Sequence, residues 1–293
     1  MTPTHAPAWT DLGGGVRVRQ SQAFMMNSSV LLDGEHTLVI DPGVLEAEIG
    51  ELAAATEEAA SAEVTLFLTH AHWDHVLGAA WWPGAASIAH DRFAAELKAG
   101  ETHTLAEAQR VAAEFDAAWT RGFKAFKPRH AVSGLHYTTR GPWHLVFRDA
   151  PGHSDSQLSL HLPDRKLLFA ADMLSDVEIP ILNREPAAYR KTLEPLLQLA
   201  ASGAIETLVP GHGSIARDRD EVLRRVREDL EYLDTLMRLV TAEVRAGRDL
   251  EATQVALESM DYRGKHDGPF PMTDVHRENV TFAWHAAKMP KRR

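Results

Sequence analysis

The sequence has no cysteine among its 293 residues. This excludes disulfide bridges, thiolate zinc sites and cysteine nucleophiles, although it does not identify the cellular compartment. Positive charge is also scarce, because 31 Lys and Arg residues stand against 41 Asp and Glu residues, a net charge of −10. Such an acidic chain is a poor match for a nucleic-acid backbone.

Long apolar runs are missing as well. No stretch is long enough to cross a bilayer, and residues 1–11 are polar and proline-containing, without the apolar core of a secretory signal. We therefore expect a soluble cytoplasmic protein that acts on a small molecule, with no membrane or nucleic-acid partner. The oligomeric state cannot be inferred from the sequence.

Histidine, by contrast, is abundant, with 16 copies. Three of them, His70, His72 and His75, lie with Asp74 inside six residues, directly after the apolar run 64–68. Neutral imidazole and anionic carboxylate are the ligands that borderline divalent ions prefer. So many ionisable groups at the end of a buried strand are costly unless something gathers them, and this predicts a bound metal ion.

Strand and helix patterns alternate along the first third of the chain, which predicts an α/β fold. Residues 16–20, 29–32, 37–40 and 64–68 are predicted strands, with a hairpin turn at Asp33-Gly34. Residues 46–60 are rich in Ala and Glu and predict a helix. Residues 91–126 show apolar side chains at helical spacing.

The second half continues the alternation and then becomes helical. Residues 145–147, 158–162, 167–170 and 207–209 are predicted strands. A helix is predicted over residues 187–201, with a kink or an early break at Pro195. Residues 219–245 carry the apolar stripe of a long amphipathic helix, which is typical of core packing.

We find no repeat and no clear linker, so the sequence predicts a single domain over residues 1–293. It would include a helical insertion, residues 91–130, and a mainly helical C-terminal extension, residues 216–293. The insertion is long for a connection, which fits a lid or a substrate wall. It fits a helical hairpin packed on the body equally well.

Three further metal-donor residues follow predicted strands. His153 lies in Pro-Gly-His-Ser, Asp172 follows an apolar run, and His212 lies in Pro-Gly-His-Gly. A sheet presents such residues on loops, as it commonly does for residues of a functional site. A lone histidine is usually structural, but seven donors placed repeatedly at strand ends favour a metal site.

The ordered series His-x-His-x-Asp-His, Pro-Gly-His-Ser, Asp after a strand and Pro-Gly-His-Gly resembles the metallo-β-lactamase superfamily of hydrolases. The early Asp41-Pro42-Gly43 is similar to that family's first strand end, and the resemblance covers about residues 12–215. It implies an αββα sandwich of two mixed sheets between helical layers.

The resemblance also implies roles for the donors. His70, His72 and His153 would hold one divalent ion, and Asp74, His75 and His212 the second, with Asp172 bridging both. Zinc is the first expectation from the nitrogen-rich set, and iron or manganese tolerates the same ligands. Asp41 would either orient ligand imidazoles from behind or cap the turn before Pro42.

The activity implied is that of a dinuclear metal-dependent hydrolase, similar to glyoxalase II and the lactonases of the family. A metal-bridging hydroxide would attack a small ester, lactone or thioester, and Asp74 or Asp172 would protonate the leaving group. The β-lactamases of the family carry Cys or Ser where this chain has Asp172. Glyoxalase II enzymes usually have two glycines after the Asp-His pair, whereas this chain has only Gly78.

Three alternatives stay open. A phosphodiesterase could use the same dinuclear site, a persulfide dioxygenase of the family would use a single iron, and a non-enzymatic scaffold would hold metal in a closed site. Lys127 and Arg129, in the insertion, could pair with a substrate carboxylate or phosphate, or be merely solvated.

Overall fold

The computed structural model describes residues 9–262, residue 270 and residues 272–289. These residues form two compact units. The first comprises residues up to 149 together with 156–164, and the second comprises residues 150–155 and those from 165 onward. Within the described ranges, no helix is both long and apolar enough to cross a membrane.

A seven-stranded sheet lies entirely in the first unit, with its strands in chain order. The strands are β1 (Trp9–Gly13), β2 (Val16–Gln20), β3 (Asn27–Leu32), β4 (His36–Ile40), β5 (Glu63–Phe67), β6 (Ala86–His90) and β7 (His130–Val132). Strands β1 to β4 pair antiparallel, whereas β4 to β7 pair parallel, so the sheet is mixed.

The predicted hairpin is the turn between β3 and β4. The carboxylate of Asp33 accepts the backbone N–H groups of Glu35 and His36 at 2.8 and 2.6 Å. Gly34 takes a left-handed backbone with φ of 92°, which glycine adopts without steric cost. The turn therefore follows from the side-chain chemistry that the sequence shows.

Helix α1 (Glu46–Glu58) connects β4 to β5, and its buried Leu52 packs with Val39 and Leu66 of the sheet. Because β4 and β5 are parallel, their carboxyl ends meet at the same edge of the sheet. The backbone N–H of Asp41 extends this ladder by donating to the carbonyl of Phe67 at 3.0 Å. The polar residues that follow the two strands therefore emerge side by side.

The helix predicted over residues 91–126 is shorter in the structure. α3 (Phe93–Glu114) ends well before residue 126, and irregular chain leads on to β7. In that chain the backbone N–H groups of Thr120 and Arg121 donate to the carboxylate of Glu46 at 2.5 and 2.8 Å. A side chain on α1 thus replaces helical hydrogen bonding, and the second part of the predicted insertion is not helical.

The remaining strands form a second sheet of five strands: β8 (Leu135–Arg140), β9 (Trp143–Asp149), β10 (Leu158–Leu162), β11 (Leu167–Phe169) and β12 (Thr207–Val209). The first unit contributes β8, β9 and β10, which pair antiparallel. The second unit contributes β11 and β12, which pair parallel. Single 3₁₀ turns span Leu77–Trp81 and Pro163–Arg165.

Helices make up most of the second unit: α4 (Pro186–Ala201), α5 (Arg219–Arg245), α6 (Leu250–Leu257) and α7 (Thr273–Lys288). Asp218 caps α5 by accepting the backbone N–H of Glu221 at 2.9 Å. The α5 stripe of Val222, Val226 and Leu233 is buried in the core of the unit, as predicted.

Pro195 does not break α4, which continues to Ala201. A proline inside a helix costs about 3 kcal/mol, because it removes a hydrogen bond and crowds the preceding turn. Leu193, Leu196 and Ala200 are buried in the same core, and their packing offsets that cost. Of the two outcomes predicted at Pro195, a kink or an early break, the early break does not occur.

The prediction of an α/β fold with two mixed sheets and helices is confirmed. The described part of residues 216–293 is mainly helical. The assignment of residues 1–293 to a single domain remains a prediction.

Candidate metal centre

The first donor group is the set His70, His72, Asp74 and His75. It lies just beyond β5, where the chain turns into the short helix α2 (Trp73–Val76). His70, His75 and Asp74 are buried, and His72 is half-buried. The rings of His70 and His75 have centroids 4.1 Å apart, and His72 has its ring centroid 4.5 Å from that of His70. The predicted motif thus gathers its side chains in one turn.

Asp41 organises this group from the end of β4. Its Oδ1 accepts the backbone N–H of Thr69 at 2.7 Å, and its Oδ2 accepts the Thr69 hydroxyl at 2.6 Å. The same Oδ2 lies 2.9 Å from Nδ1 of His75. Because a carboxylate only accepts, His75 carries its proton on Nδ1 and presents Nε2 as a lone-pair donor.

Through Thr69, Asp41 also fixes the position of the proton on His70. The Thr69 hydroxyl gives its only proton to Asp41, so the contact of 3.0 Å to Nδ1 of His70 requires the imidazole to donate. The Nε2 atom of His70 is then also a lone-pair donor. One carboxylate therefore sets the tautomers of two histidines.

Gly43 and Gly78 let the Asp41 loop approach the motif turn. A Cβ on Gly43 would lie 1.7 Å from the carbonyl oxygen of Asp74, and one on Gly78 would lie 2.5 Å from the carbonyl oxygen of Pro42. The Gly78 N–H donates to that Pro42 carbonyl at 2.7 Å. The close backbone contact explains why small residues occupy both positions.

Ser156 supports the first donor group from β10's side. Its hydroxyl accepts the backbone N–H of Ala71, between two donor histidines, at 3.2 Å, and its own N–H donates to Glu96 of α3 at 3.0 Å. The serine side chain therefore braces the turn.

The second donor group is the set His153, Asp172 and His212, all buried in the second unit. His153 Nδ1 lies 3.2 Å from the carbonyl of Ile181, which can only accept, so the proton is on Nδ1. Its Nε2 then faces Oδ2 of Asp172 at 3.1 Å. The same carboxylate oxygen lies 3.6 Å from Nε2 of His212.

These separations suit a shared cation. A lone-pair nitrogen and a carboxylate oxygen repel unless a proton or a metal ion lies between them. Ligand atoms that sit about 2 Å from one tetrahedral ion lie roughly 3.3 Å apart. His153–Asp172 at 3.1 Å, His212–Asp172 at 3.6 Å and, in the first group, His75–Asp74 at 3.6 Å all match that spacing.

Glycines place the loops of the second group. A Cβ on Gly152 would lie 2.5 Å from Tyr189, and one on Gly211 would lie 2.0 Å from Oδ1 of Asp172. The Gly211 N–H also donates to the Ala171 carbonyl at 2.6 Å. The glycines beside His153 and His212 therefore permit the close approach that the sequence predicts.

Arg225 of α5 holds two of these loops, and the sequence analysis did not identify it. The buried guanidinium donates to the carbonyls of Ser214 at 2.8 Å and Leu174 at 3.3 Å. Its Nε donates to Glu221 at 2.7 Å. One side chain thus ties the loop after Asp172 to the loop after His212.

Two carboxylates also hold the two loops that Arg225 contacts. Asp176 accepts the backbone N–H of Ser214 at 2.7 Å and lies 3.6 Å from Arg225. Asp229, buried on α5, accepts the N–H of Leu174 at 3.2 Å. Both loops are therefore fixed by α5 as well as by their strands.

The buried side chain of Tyr189 contacts the backbone of Asp172. Its hydroxyl donates to the Asp172 carbonyl at 3.1 Å. Burial raises the pKa of Tyr189 well above its usual value, and the nearby charges of Asp229, Asp172 and Glu178 act in the same direction. The phenol therefore stays neutral and serves as a fixed donor.

These His and Asp side chains, most of them buried, are consistent with a dinuclear metal site. Their donors are imidazole nitrogens and carboxylate oxygens, which suit zinc, iron and manganese, so the donor set does not single out one metal. Hydrogen bonds to the far side of His70, His75 and His153 are the kind that orients metal ligands. The residues present therefore fit bound divalent ions.

Comparison with known proteins gives the family. A model described as the metallo-beta-lactamase superfamily matches residues 23–212. The acyl-coenzyme A thioesterase MBLAC2 of Bos taurus is 30% identical over 167 residues, which cover 54% of this chain and 59% of that protein. The probable metallo-hydrolase YqgX of Bacillus subtilis strain 168 is 27% identical over 152 residues, 50% of this chain and 65% of that protein.

The matches therefore span less than two thirds of these relatives' own lengths. Among solved structures, the stereoselective inverting sec-alkylsulfatase Pisa1 from Pseudomonas sp. has a TM-score of 0.76 at 13% identity. The alignment covers 95% of this chain and 50% of Pisa1. At that identity the likeness shows the fold alone.

Proposed function

Because this chain belongs to the metallo-β-lactamase superfamily of metal-dependent hydrolases, we propose that it uses two divalent ions to cleave a small ester, lactone or thioester. A thioester is the first choice within this class, since one relative is named as an acyl-coenzyme A thioesterase. The observation that carries the proposal is the spacing of 3.1 and 3.6 Å around the Asp172 carboxylate, between two histidine nitrogens.

The ligand assignment is part of this proposal. His70, His72 and His153 would hold one ion, Asp74, His75 and His212 would hold the other, and Asp172 would serve both. The contact of Asp172 with His153 and His212, which belong to different ligand sets, supports the bridging role. Zinc is the proposed metal, and iron and manganese, which the same donors suit, are the alternatives.

When bound, divalent ions supply Lewis acidity toward the scissile carbonyl and lower the pKa of water to about 7. The protein's own residues do the positioning. Asp41 and Thr69 keep His75 and His70 in the tautomers that expose Nε2. Asp74, with Asp172 as the second candidate, would take a proton from the attacking water and pass it to the leaving group.

Hydrolysis of an acyl substrate also fits the remaining chemistry. Asp172 supplies carboxylate oxygens as metal ligands, and the chain has no cysteine to supply a thiolate. The chain carries an overall negative charge, which argues against long nucleic-acid substrates.

The test is metal analysis together with a substrate panel. Protein purified after growth with zinc, manganese or iron is expected to contain two ions per chain and to hydrolyse acyl thioesters, aryl esters or lactones. Chelation should abolish turnover, and metal addition should restore it. His153→Ala should lose metal and activity, whereas His103→Ala, at an exposed position on α3, should keep both.

Other outcomes would replace the proposal. Turnover of a bis-aryl phosphate above that of every ester would indicate a phosphodiesterase. Oxygen uptake with a persulfide, with one iron per chain and tolerance of Asp74→Ala, would indicate a dioxygenase. Protein that binds metal but turns over none of these compounds would indicate a scaffold.

A further inference from the structure

A cleft in the first unit lies outside both donor groups. It encloses about 400 Å³, within the range of about 300–1,000 Å³ that is usual for small-molecule sites. Its walls come from the chain after α2, residues 79–85, and from the irregular segment 122–129, with Leu66 and Ser87 from the sheet. We refer to it as the cationic cleft.

Aromatic side chains form the apolar part of the cationic cleft. Trp82, Phe123 and Phe126 all line it, and each is half-buried. The indole N–H of Trp82 donates to the Thr56 hydroxyl at 3.0 Å, and Phe126 packs on Phe93 with ring centroids 5.8 Å apart. The rings are therefore held in place and still present a surface to the cleft.

Three cations line the same cleft. Lys124, Lys127 and Arg129 lie within six residues and have exposed side chains. In the part of the chain that the structure describes, no carboxylate oxygen lies within 4.0 Å of a side-chain nitrogen of the three. Glu101 interacts electrostatically with Lys124. Three cations within six residues nevertheless stand out in a chain with a net charge of −10.

The segment that bears the cations is tied down. The Arg129 N–H donates to the Ser87 hydroxyl at 3.0 Å, and the Ala125 N–H donates to Glu101 of α3 at 2.9 Å. Arg129 also lines an adjoining depression together with Glu63 and Trp82. The cations therefore project from a fixed backbone next to a fixed aromatic wall.

We propose that the cationic cleft binds a nucleotide, with its flat base against the aromatic side chains and its phosphates paired with the three cations. Base–aromatic stacking and phosphate pairing with Lys and Arg are the usual physical components of such binding. A fatty-acid anion carries a single charge and would leave two of the cations unmatched. Two phosphate monoester groups, each with a charge of about −1.5 to −2 at pH 7, match all three cations.

Two kinds of ligand contain such a nucleotide. A free nucleotide would be an effector, whereas the nucleotide part of an acyl thioester would belong to the substrate. The second source rests on the proposed function, and the first does not. The proposal itself concerns only the shared nucleotide chemistry.

The binding test uses adenosine 3′,5′-bisphosphate, which has no acyl group to hydrolyse and no thiol to ligate metal. Titration calorimetry of the full-length, metal-loaded protein is expected to give saturable binding. The triple variant Lys124→Ala/Lys127→Ala/Arg129→Ala should weaken it at least tenfold, and Lys127→Arg should retain it. Lys191→Ala, an exposed cation on α4, is the matched control.

Kinetics then identify the source. If the nucleotide is part of the substrate, KM for an acyl-coenzyme A should be lower than KM for the matching acyl-pantetheine, and the triple variant should abolish the difference. If it is an effector, the two KM values should agree while the bisphosphate still binds.

Three results would overturn the proposal. One is a lack of saturable binding up to millimolar bisphosphate in protein with an unchanged thermal midpoint. Another is binding that the triple variant leaves intact. The third is tighter binding of dodecanoate than of any nucleotide. None of these results depends on whether the protein hydrolyses thioesters, so failure here and failure of the proposed function can be told apart.

Discussion

The two donor groups are built in contrasting ways. The first places four donors within six residues of one turn, and a single carboxylate, Asp41, orients two of them, His75 directly and His70 through Thr69. The second collects His153, Asp172 and His212 from three distant loops, and glycine contacts and Arg225 hold those loops. A contiguous group needs orientation of its rings, whereas a dispersed group needs its backbones brought together.

The largest expected effect comes from removing the centre of the dispersed group. Asp172→Ala should lose both ions and lower kcat/KM by at least about a thousandfold, because its carboxylate serves both ligand sets in the proposed assignment. Metal content by mass spectrometry and steady-state kinetics measure this. A variant that retains two tightly bound ions would refute the bridging role.

The next largest effect is expected from a substitution that disturbs a loop without replacing a donor residue. Gly211→Ala would push a methyl group to 2.0 Å from the Asp172 carboxylate, so that group must move. A shift of about 1 Å costs roughly a hundredfold in rate. The matched control is Gly50→Ala in α1, where a Cβ meets nothing within 4 Å. The control should keep full activity and gain up to about 1 kcal/mol of stability.

The contiguous group should respond to loss of orientation with a smaller change. Asp41→Asn is expected to weaken metal binding by about 10- to 100-fold, the usual effect of losing a group that orients a ligand. Thr69→Val should weaken it less, and Thr69→Ser should restore it, because serine keeps the hydroxyl between Asp41 and His70. Competition with a chelator gives the affinities. Equal metal affinity in Thr69→Val and wild type would show that Thr69 does not transmit the orienting effect of Asp41 to His70.

The smallest effect is expected on thermal stability, from the ion pairs that Glu221 forms with Arg224 and with Arg225, the residue that holds the loops of the dispersed group. Hydrogen bonding from Arg224 lowers the pKa of Glu221 to about 2, against a raising effect of partial burial, and Arg225 adds to the lowering. Because the folded-state pKa is depressed, this stabilisation is present above pH 4.5 and is lost as pH falls toward 2. Metal-free wild type should therefore unfold at a higher temperature than Glu221→Gln at pH 6, and the gap should shrink by pH 2.5. A gap that stays constant over this range would exclude the ion pair as its source.

The same contrast explains what the sequence could predict. The first donor group was visible because its donors are adjacent, and the second because each donor follows a strand and two of them sit beside glycine. Helices and buried strands with strong periodicity, such as α5 and β10, were predicted close to their observed bounds. The ligand roles themselves came from the family resemblance and remain proposals.

The residues that were missed act over long sequence separations. Ser156 contacts the Ala71 amide from 85 residues away, and Arg225 reaches the Leu174 carbonyl over 51 residues. Arg225 and Asp229 did leave a signal, because they share the helical face of Val222 and Val226, where apolar residues are expected. The segment after α3 was predicted helical because its spacing is helical, and the Glu46 carboxylate that captures its backbone lies 74 residues earlier.

The position of Arg225 limits how far this protein can be shortened. A chain trimmed after residue 215 would keep every donor and the whole region matched by the family model, residues 23–212. It would nevertheless lose the guanidinium that grips the carbonyls of Leu174 and Ser214. Helix α5 therefore belongs to the structure that holds the loops of the second donor group, and moving those donors to another scaffold would require an equivalent of Arg225 as well.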